Sequence, residues 1–203
     1  GASKYVIKNA RGQPSEAYWL GMMRDWLMSI QNQTDQAIAR GQIDVATATI
    51  HHSNATKISD AALTGFKLLC SHGEKYECIE RVGKVRLVDA TGVINPDGFY
   101  NYLTAWFNQD NMMYYVTQAS FFPNPPSWAV NVSGVVPAAE PLAYSQIPFY
   151  LTGLTNTPVI VEVIKEIRSI CDDFTIRGLP NFPQGIAFTF WEQYLHLNGN
   201  LMQ

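Results

Sequence analysis

The sequence predicts an α+β fold. Segments with the apolar spacing of helices and short segments rich in aromatic and β-branched residues follow one another unevenly, whereas an α/β protein alternates them regularly. No internal repeat with a period of 20 to 50 residues is present. With 203 residues, 47% of them hydrophobic, the chain has room for one sizeable core or two small ones, and we expect a single folded domain over residues 1–203.

The first helix is predicted from a cap, an apolar stripe and a stop. Ser15 can cap it, and it runs to about Gln31 or on to Arg40, where Gly41 ends it. Its apolar residues recur at spacings of three and four: Trp19, Met22, Met23, Trp26, Leu27 and Ile30.

Three further helices begin at recognisable caps. Ser59 precedes a short helix, Asn95 with Pro96 precedes a third, and Thr157 with Pro158 precedes a fourth that ends at Gly178. The apolar faces are Ala62, Phe66 and Leu69 in the second helix, Phe99, Tyr102, Leu103, Trp106 and Phe107 in the third, and Ile160, Val163, Ile164, Ile167, Ile170, Cys171 and Phe174 in the fourth.

Two segments have the character of strands. Residues 3–9 alternate weakly between apolar and polar side chains, and residues 142–154 are rich in aromatic and branched residues between turn signals. Pro148 places the second segment at a sheet edge or a bulge, because proline lacks the N–H that a central strand needs.

No transmembrane helix is predicted within the chain. Residues 111–139 carry no formal charge, but Pro123, Pro125, Pro126 and Pro137 would leave backbone groups unsatisfied in lipid. We therefore expect an ordered, weakly charged surface loop there.

The composition argues against several functional classes. The net charge is −3 and no basic run occurs, so we expect no nucleic-acid partner. No phosphate-binding glycine loop, nucleophile elbow or zinc-protease motif is present, and carboxylates such as Asp172 and Asp173 lie on a solvated helix face. The histidines are scattered, so we expect no enzyme, no metal site and no cofactor.

Cys70 and Cys78 flank a short polar loop that one disulfide could close, and the alternative is two buried free thiols. Cys171 is left over and should be a buried, inert thiol on the fourth helix. The sequons at Asn32, Asn54 and Asn131 also fit an extracellular or lumenal chain with N-linked glycans.

The aromatic stripe of the third helix has two interpretations. Phe99, Tyr102 and Trp106 pack against the sheet in the first and line a groove for a lipid or a partner in the second.

Several long motifs resemble the second large ectodomain of the Patched family. They are "RLVDATGVINPDGFYNYLTAWFNQD" in residues 86–110, "PAAEPLAYSQIPFYLTGL" in residues 137–154, and "GLPNFP" followed by "FWEQY" in residues 178–194. Upstream, "AYWLGMMRDWL" and "ALTGFKLL" match more loosely.

The resemblance implies a twelve-span membrane protein of the resistance-nodulation-division type, with a sterol-sensing domain and two ferredoxin-like ectodomains. This chain would be a ferredoxin-like split βαβ ectodomain with helical insertions that lacks its first strand-helix unit, and it would end just before a membrane helix. Phe188, Phe190, Trp191 and Tyr194 would then lie at the membrane surface, where amphipathic aromatic side chains are favoured.

The implied partners are the first ectodomain and the membrane helices of the same protein, a lipidated Hedgehog-type protein, and a sterol or lipid ligand. The implied location is the extracellular face of the plasma membrane or the endosomal lumen. The Cys70 to Cys78 loop departs from the better-known Patched pattern, so the Hedgehog-facing loops would be altered. The alternative function is a free-standing extracellular lipid-binding module without a receptor role.

Overall fold

The computed structural model describes residues 19–51, 57–111, 113, 120–146, 151 and 155–189. The chain divides into two compact units. The larger comprises residues 7–148, and the smaller comprises residues 1–6 with 149–203. The described parts of the larger unit contain three helices and three strand pairs, and those of the smaller unit are built on one long helix, which confirms the α+β class.

The three helices of the larger unit are α1 (Trp19–Ala39), α2 (Asp60–Cys70) and α3 (Phe99–Gln109). The first helix takes the longer of its two predicted ends, and Gly41 follows it with a φ of 70°. The predicted cap at Ser15 lies outside the described residues. The predicted cap of α2 is confirmed, since the Ser59 hydroxyl accepts a hydrogen bond from the Ala62 N–H at 3.1 Å.

A short 3₁₀ turn, Pro96–Gly98, precedes α3, so the predicted third helix begins with this tighter turn. The Asn95 side chain caps the turn by accepting from the Asp97 N–H at 3.0 Å. All three helices contribute to one hydrophobic core, whose largest fully buried side chains include Trp106, Tyr102, Met23, Leu27 and Leu68.

The described strands form antiparallel pairs. Strands β1 (Ile43–Asp44) and β2 (Thr49–Ile50) pair, as do β3 (Ser71–His72) and β4 (Lys75–Tyr76). Strands β5 (Ser120–Phe122) and β6 (Tyr144–Gln146) pair with Phe121 opposite Ser145. The predicted strand in residues 142–154 is confirmed for β6, whereas its continuation over 147–150 and the predicted strand at 3–9 lie outside the described residues.

The segment between β5 and β6 differs from the surface loop that the sequence predicts. It is irregular from Pro123 onward, but Trp128, Val136 and Ala139 are at most 7% exposed. The predicted ordered loop is present and much of it is exposed, but these apolar side chains turn inward and complete the core of the larger unit.

The smaller unit contains α4 (Thr157–Ile176). The predicted cap was wrong by one residue: Asn156 is extended and its side chain accepts from the Val159 N–H at 3.1 Å, so Thr157 is already helical. Gly178 follows the helix with a φ of 88°.

The apolar stripe of α4 is buried only in its first half. Ile160 and Ile164 pack against Phe188, and Ile167 contacts the same cluster while partly exposed. The thiol of Cys171 is free and partly exposed, which corrects the prediction of a buried thiol. Its remaining burial raises the pKa of that thiol.

In the described part of the chain, every helix is too short or too polar to cross a membrane.

The contact between α1 and α2 depends on a glycine. A Cβ atom at Gly65 would overlap the hydroxyl oxygen of Thr34, whose side chain is fully buried and donates to the Ile30 carbonyl at 2.9 Å. Gly21 lies in α1 with no neighbouring atom near its Cβ position.

We expect Gly65→Ala to lower the free energy of unfolding by about 1–3 kcal/mol, because the added methyl group forces α2 away from Thr34. Gly21→Ala is the matched control and should raise it by up to about 1 kcal/mol, because alanine favours the helix. Thermal unfolding of the two variants measures both effects. Equal effects in the two variants would contradict a tight contact at Gly65.

The disulfide prediction is confirmed, since Cys70 and Cys78 are bonded. We expect Cys70→Ser with Cys78→Ser to lower the free energy of unfolding by about 2–3 kcal/mol, because the open loop gains conformational entropy in the unfolded chain. Denaturant unfolding measures the loss. Mass spectrometry without reduction should find the bond, and two free thiols in the native protein would refute it.

Candidate functional site

The disulfide-closed hairpin of residues 70–78 is the first part of a candidate binding surface. It follows α2 directly, and β3 and β4 turn at Gly73, which has a φ of 53°. The hairpin is closed by the disulfide and by the Glu77 N–H, which donates to the Cys70 carbonyl at 2.7 Å. It is therefore a fixed projection and not a flexible loop.

Two large side chains at this hairpin are exposed. Tyr76 is 44% exposed and Ile79, just beyond the disulfide, is 58% exposed. The chain after the hairpin is tied back to α2, because the Arg81 guanidinium Nε donates to the Leu69 carbonyl at 2.8 Å. Partial burial raises the pKa of the Tyr76 phenol, so this side chain stays neutral at physiological pH.

The second part of the candidate surface is the irregular segment of residues 128–139. Its turn at Ala129 is closed by the Val132 N–H, which donates to the Ala129 carbonyl at 3.1 Å. Asn131 and Val132 in this turn are exposed, whereas Trp128 and Val136 on either side are buried. The buried residues on both sides therefore hold the turn in place.

Three buried polar side chains, here called the fastening residues, join the hairpin to this segment. They are Lys67, Ser71 and Asn101, all at most 8% exposed. They come from α2, from the hairpin and from α3. Buried polar groups must be hydrogen-bonded to avoid a large desolvation cost, so their partners define their role.

Asn101 makes the central connection. Its side-chain carbonyl accepts from the Gly73 N–H at 2.9 Å, and its amide donates to the Gly73 carbonyl at 2.8 Å and to the Val136 carbonyl at 2.7 Å. One side chain thereby fixes the hairpin turn and the irregular segment at once. A residue that cannot both donate and accept would lose part of this pattern.

Ser71 and Lys67 add two further connections. The Ser71 hydroxyl accepts from the Val136 N–H at 2.8 Å and donates to the Lys67 carbonyl at 2.7 Å. The Lys67 ammonium donates to the Val132 carbonyl, and burial lowers the pKa of this lysine. Lys67 therefore holds the Asn131 turn to α2 from beneath.

This arrangement has the chemistry of a binding surface. Its buried polar side chains make internal hydrogen bonds. Its exposed side chains include the apolar and aromatic Ile79 and Tyr76 beside the charged Glu74, Lys75 and Glu77. Among residues 19–51, 57–111, 120–146 and 155–189, no three His, Cys, Asp or Glu side chains gather as metal ligands would. We find no nucleophile and base brought together at the hairpin or at the Asn131 turn.

The predicted glycosylation sites differ in how accessible their sequons are. Asn131 is exposed in a turn with Ser133 exposed two residues later. Asn32 is exposed on α1, but the hydroxyl of its sequon residue Thr34 is fully buried. Asn54 lies outside the described residues.

The three predicted groove aromatics lie mainly in the core. Tyr102 and Trp106 are fully buried, and burial raises the pKa of Tyr102 to about 12. Trp106 lies 6.2 Å from Trp19 between ring centroids, and Phe121 packs edge-on against Trp19 at 4.9 Å. Phe99 is partly exposed. A lipid groove along these residues stays a prediction.

Of the predicted membrane-surface residues, Phe188 is described. It is 6% exposed and packs on Ile160 and Ile164 of α4. Phe190, Trp191 and Tyr194 lie outside the described residues.

The fastening residues were missed in the sequence. Two of them could have been noticed as polar residues within apolar segments. Asn101 interrupts the aromatic face of "FYNYLTAWF", and Lys67 interrupts the apolar run of α2. Their partners in the hairpin turn and the irregular segment are backbone groups 28 to 65 residues away, which no local pattern reveals.

Comparison with known proteins identifies the family. No protein-family model matches the chain. The chain is 64% identical over 206 residues to Protein patched homolog 1 of Caenorhabditis elegans, a match that covers 100% of the chain and 14% of that relative. It is 37% identical over 202 residues to Protein patched homolog 1 of Danio rerio, covering 96% of the chain and 16% of the relative.

Protein patched of Drosophila melanogaster is 36% identical over 202 residues, a match that covers 97% of the chain and 15% of that relative. The chain thus spans only about a seventh of the length of the curated relatives it matches. Because the similarity runs along the whole chain in relatives from a nematode, a fish and an insect, the chain belongs to the Patched family.

Proposed function

We propose that this chain is an extracellular segment of a Patched-like multi-pass membrane receptor and sterol transporter, and not an enzyme. The observation that carries the proposal is the 64% identity to a Patched homologue along the whole chain. The segment would lie on the extracellular face of the plasma membrane or in the endosomal lumen. Residues 1–203 would form one ectodomain that leads into a membrane helix.

The disulfide supports the extracellular location. Disulfides persist in oxidising compartments and are rare in the cytosol. The bond between Cys70 and Cys78 joins the end of α2 to the base of an exposed hairpin. The exposed sequon at Asn131 supports the same location, because N-linked glycans are added to lumenal chains.

N-linked glycans are proposed at Asn32, Asn54 and Asn131, and Asn131 has the strongest support. Its turn presents both the amide and the Ser133 hydroxyl on the surface. Glycan transfer to Asn32 requires the hydroxyl of Thr34. The transfer would therefore have to precede the burial of that hydroxyl between α1 and α2.

The hairpin and the Asn131 turn support a role in binding a lipidated Hedgehog-type protein. Exposed Tyr76 and Ile79 on a rigid support match the aromatic and aliphatic anchors that dominate protein interfaces. Preorganisation by the fastening residues lowers the entropic cost of binding. The other proposed partners are the first ectodomain and the membrane helices of the same protein.

A sterol or lipid path is the further part of the proposal, and it uses the smaller unit. Phe188, Phe190, Trp191 and Tyr194 are proposed to lie near the membrane, with Phe188 anchoring the segment to α4. Pairing of the strands into a ferredoxin-like split βαβ sheet is also proposed. The alternative, a free-standing lipid-binding module, has no better support than the receptor segment.

We expect Asn131→Gln to remove one N-linked glycan from the full-length protein expressed in cells, because the turn is exposed. Electrophoresis before and after peptide N-glycosidase digestion measures the change. Val132→Ala is the matched control, since it keeps the sequon. A glycan-free wild-type protein would refute the extracellular location of this turn.

We expect Tyr76→Ser with Ile79→Ser to weaken binding of a purified lipidated Hedgehog-type protein about tenfold, because the two anchors together contribute about 1–2 kcal/mol. The measurement is a binding isotherm on cells that display the full-length receptor at equal surface levels. Val93→Ser is the matched control, because Val93 is as exposed as Ile79 but lies in another loop. Equal affinities for all three proteins would exclude the hairpin as a contact.

A further inference from the structure

The last residue of α4 and the ten positions that follow it expose an unusual set of large apolar side chains. Ile176 is 83% exposed, Leu179 61%, Phe182 80% and Ile186 79%. These four residues, here called the apolar turn, fall within eleven consecutive positions of the smaller unit. Single exposed apolar residues are normal, but four at this exposure within eleven positions indicate that this segment meets an apolar environment.

The apolar turn is an ordered structure. The N–H groups of Gly178 and Leu179 donate to the carbonyls of Thr175 and Phe174 at 3.0 Å, which closes the end of α4. A few residues later Phe188 is buried against Ile160 and Ile164. The turn is therefore attached to α4 at both of its ends, and its apolar side chains are held outward.

Two polar side chains in and beside the turn, Asn181 and Thr189, hydrogen-bond to backbone carbonyls. The Asn181 amide donates to the Leu179 carbonyl at 2.8 Å and to the Cys171 carbonyl at 3.2 Å. The Thr189 hydroxyl donates to the Gly185 carbonyl at 3.2 Å. Pro180 and Pro183 carry no N–H at all. Gln184 is exposed and uncharged. Apart from it, large apolar side chains point outward and the polar side chains bond to backbone carbonyls, which suits a medium that offers few hydrogen bonds.

The charge pattern identifies that medium. No Asp, Glu, Lys or Arg occurs from Gly178 to Trp191, and the charges resume at Arg177 on one side and Glu192 on the other. A protein-binding surface has a polar, solvent-accessible rim among its contacts. A charge-free turn with protruding aliphatic and aromatic side chains instead matches the boundary between lipid headgroups and acyl chains.

We propose that the apolar turn inserts into the surface of the lipid bilayer, with Leu179, Phe182 and Ile186 reaching the acyl-chain boundary. The inference rests on the proposed membrane-protein function and deepens it, because it assigns lipid contact to a turn outside the "FWEQY" segment. The smaller unit would thus touch the bilayer through a rigid, folded element. Arg177 would lie at the headgroup level, where its guanidinium stays hydrated.

Photolabelling of the full-length protein in phosphatidylcholine nanodiscs tests this. One probe is a phosphatidylcholine with a diazirine in its acyl chain, and the other is a water-soluble diazirine. We expect lipid adducts on Leu179, Phe182 and Ile186, with little water-soluble label there. Ile79 and Val93, each 58% exposed in the larger unit, are internal controls and should show the reverse.

The two probes separate the possible outcomes. Labelling of the apolar turn by the water-soluble probe alone would overturn the proposal, and labelling by neither would show that another part of the protein covers the turn, which also overturns it. Leu179→Ser with Phe182→Ser should lose the lipid adducts, while Ile79→Ser leaves them unchanged.

A third result distinguishes this proposal from the proposed function. If the protein fails to enter nanodiscs and carries no glycan at Asn131, the membrane-receptor assignment itself fails. A protein that enters nanodiscs and carries that glycan, but whose apolar turn is not labelled by lipid, would overturn only the insertion.

Discussion

The close contact between α1 and α2 at Gly65 is the constraint on which the larger unit depends. The missing side chain at Gly65 lets the two helices approach until Thr34 fills the space. This position of α2 then determines where its last turn points. Lys67, Cys70 and Ser71 all lie at that end of α2. The contact between α1 and α2 therefore determines where the disulfide, the hairpin and the fastening hydrogen bonds are placed.

The larger unit uses polar groups in its interior to place its surface loops. Asn101 joins two loops. Gln31 of α1 has a similar role: its side chain accepts from the Leu87 N–H at 2.8 Å and donates to the Asp35 carboxylate at 3.0 Å. Each such side chain satisfies backbone groups that irregular segments would otherwise leave unpaired. Long connections between helices can therefore be ordered without joining a sheet. In the proposed receptor segment this would help binding, because loops that are rigid before binding lose little entropy on binding.

Much of the helical structure followed from local signals. Ser59, Asn95 and Gly41 lie at the ends that their residue types favour, and the spacing of apolar residues in α1 and α3 identified the buried faces. These features involve neighbours within one or two turns, so a sequence pattern contains them. The disulfide was also accessible, because only eight positions separate its cysteines.

The sequence predictions were wrong where contacts between residues far apart in the chain determine burial. The uncharged segment after β5 looked like a surface loop, but Trp128 and Val136 find room in the core and Asn101 supplies the missing hydrogen-bond partner. The apolar stripe of α4 predicted burial along the full length of the helix, but the cluster with Phe188 covers only its first half. The fastening residues act across gaps of up to 65 residues, and local periodicity carries no information about such pairs.

The buried hydroxyl of Thr34 makes modification of Asn32 a matter of timing. Glycan transfer needs the threonine of the sequon, and that hydroxyl is enclosed once α2 docks onto α1. Any sugar at Asn32 must therefore be attached to the growing chain before this helix pair assembles. If the chain is extracellular as proposed, the fraction of molecules that carry this sugar reports the rate of folding. Slow assembly of the helix pair leaves the acceptor accessible for longer, and rapid assembly buries it.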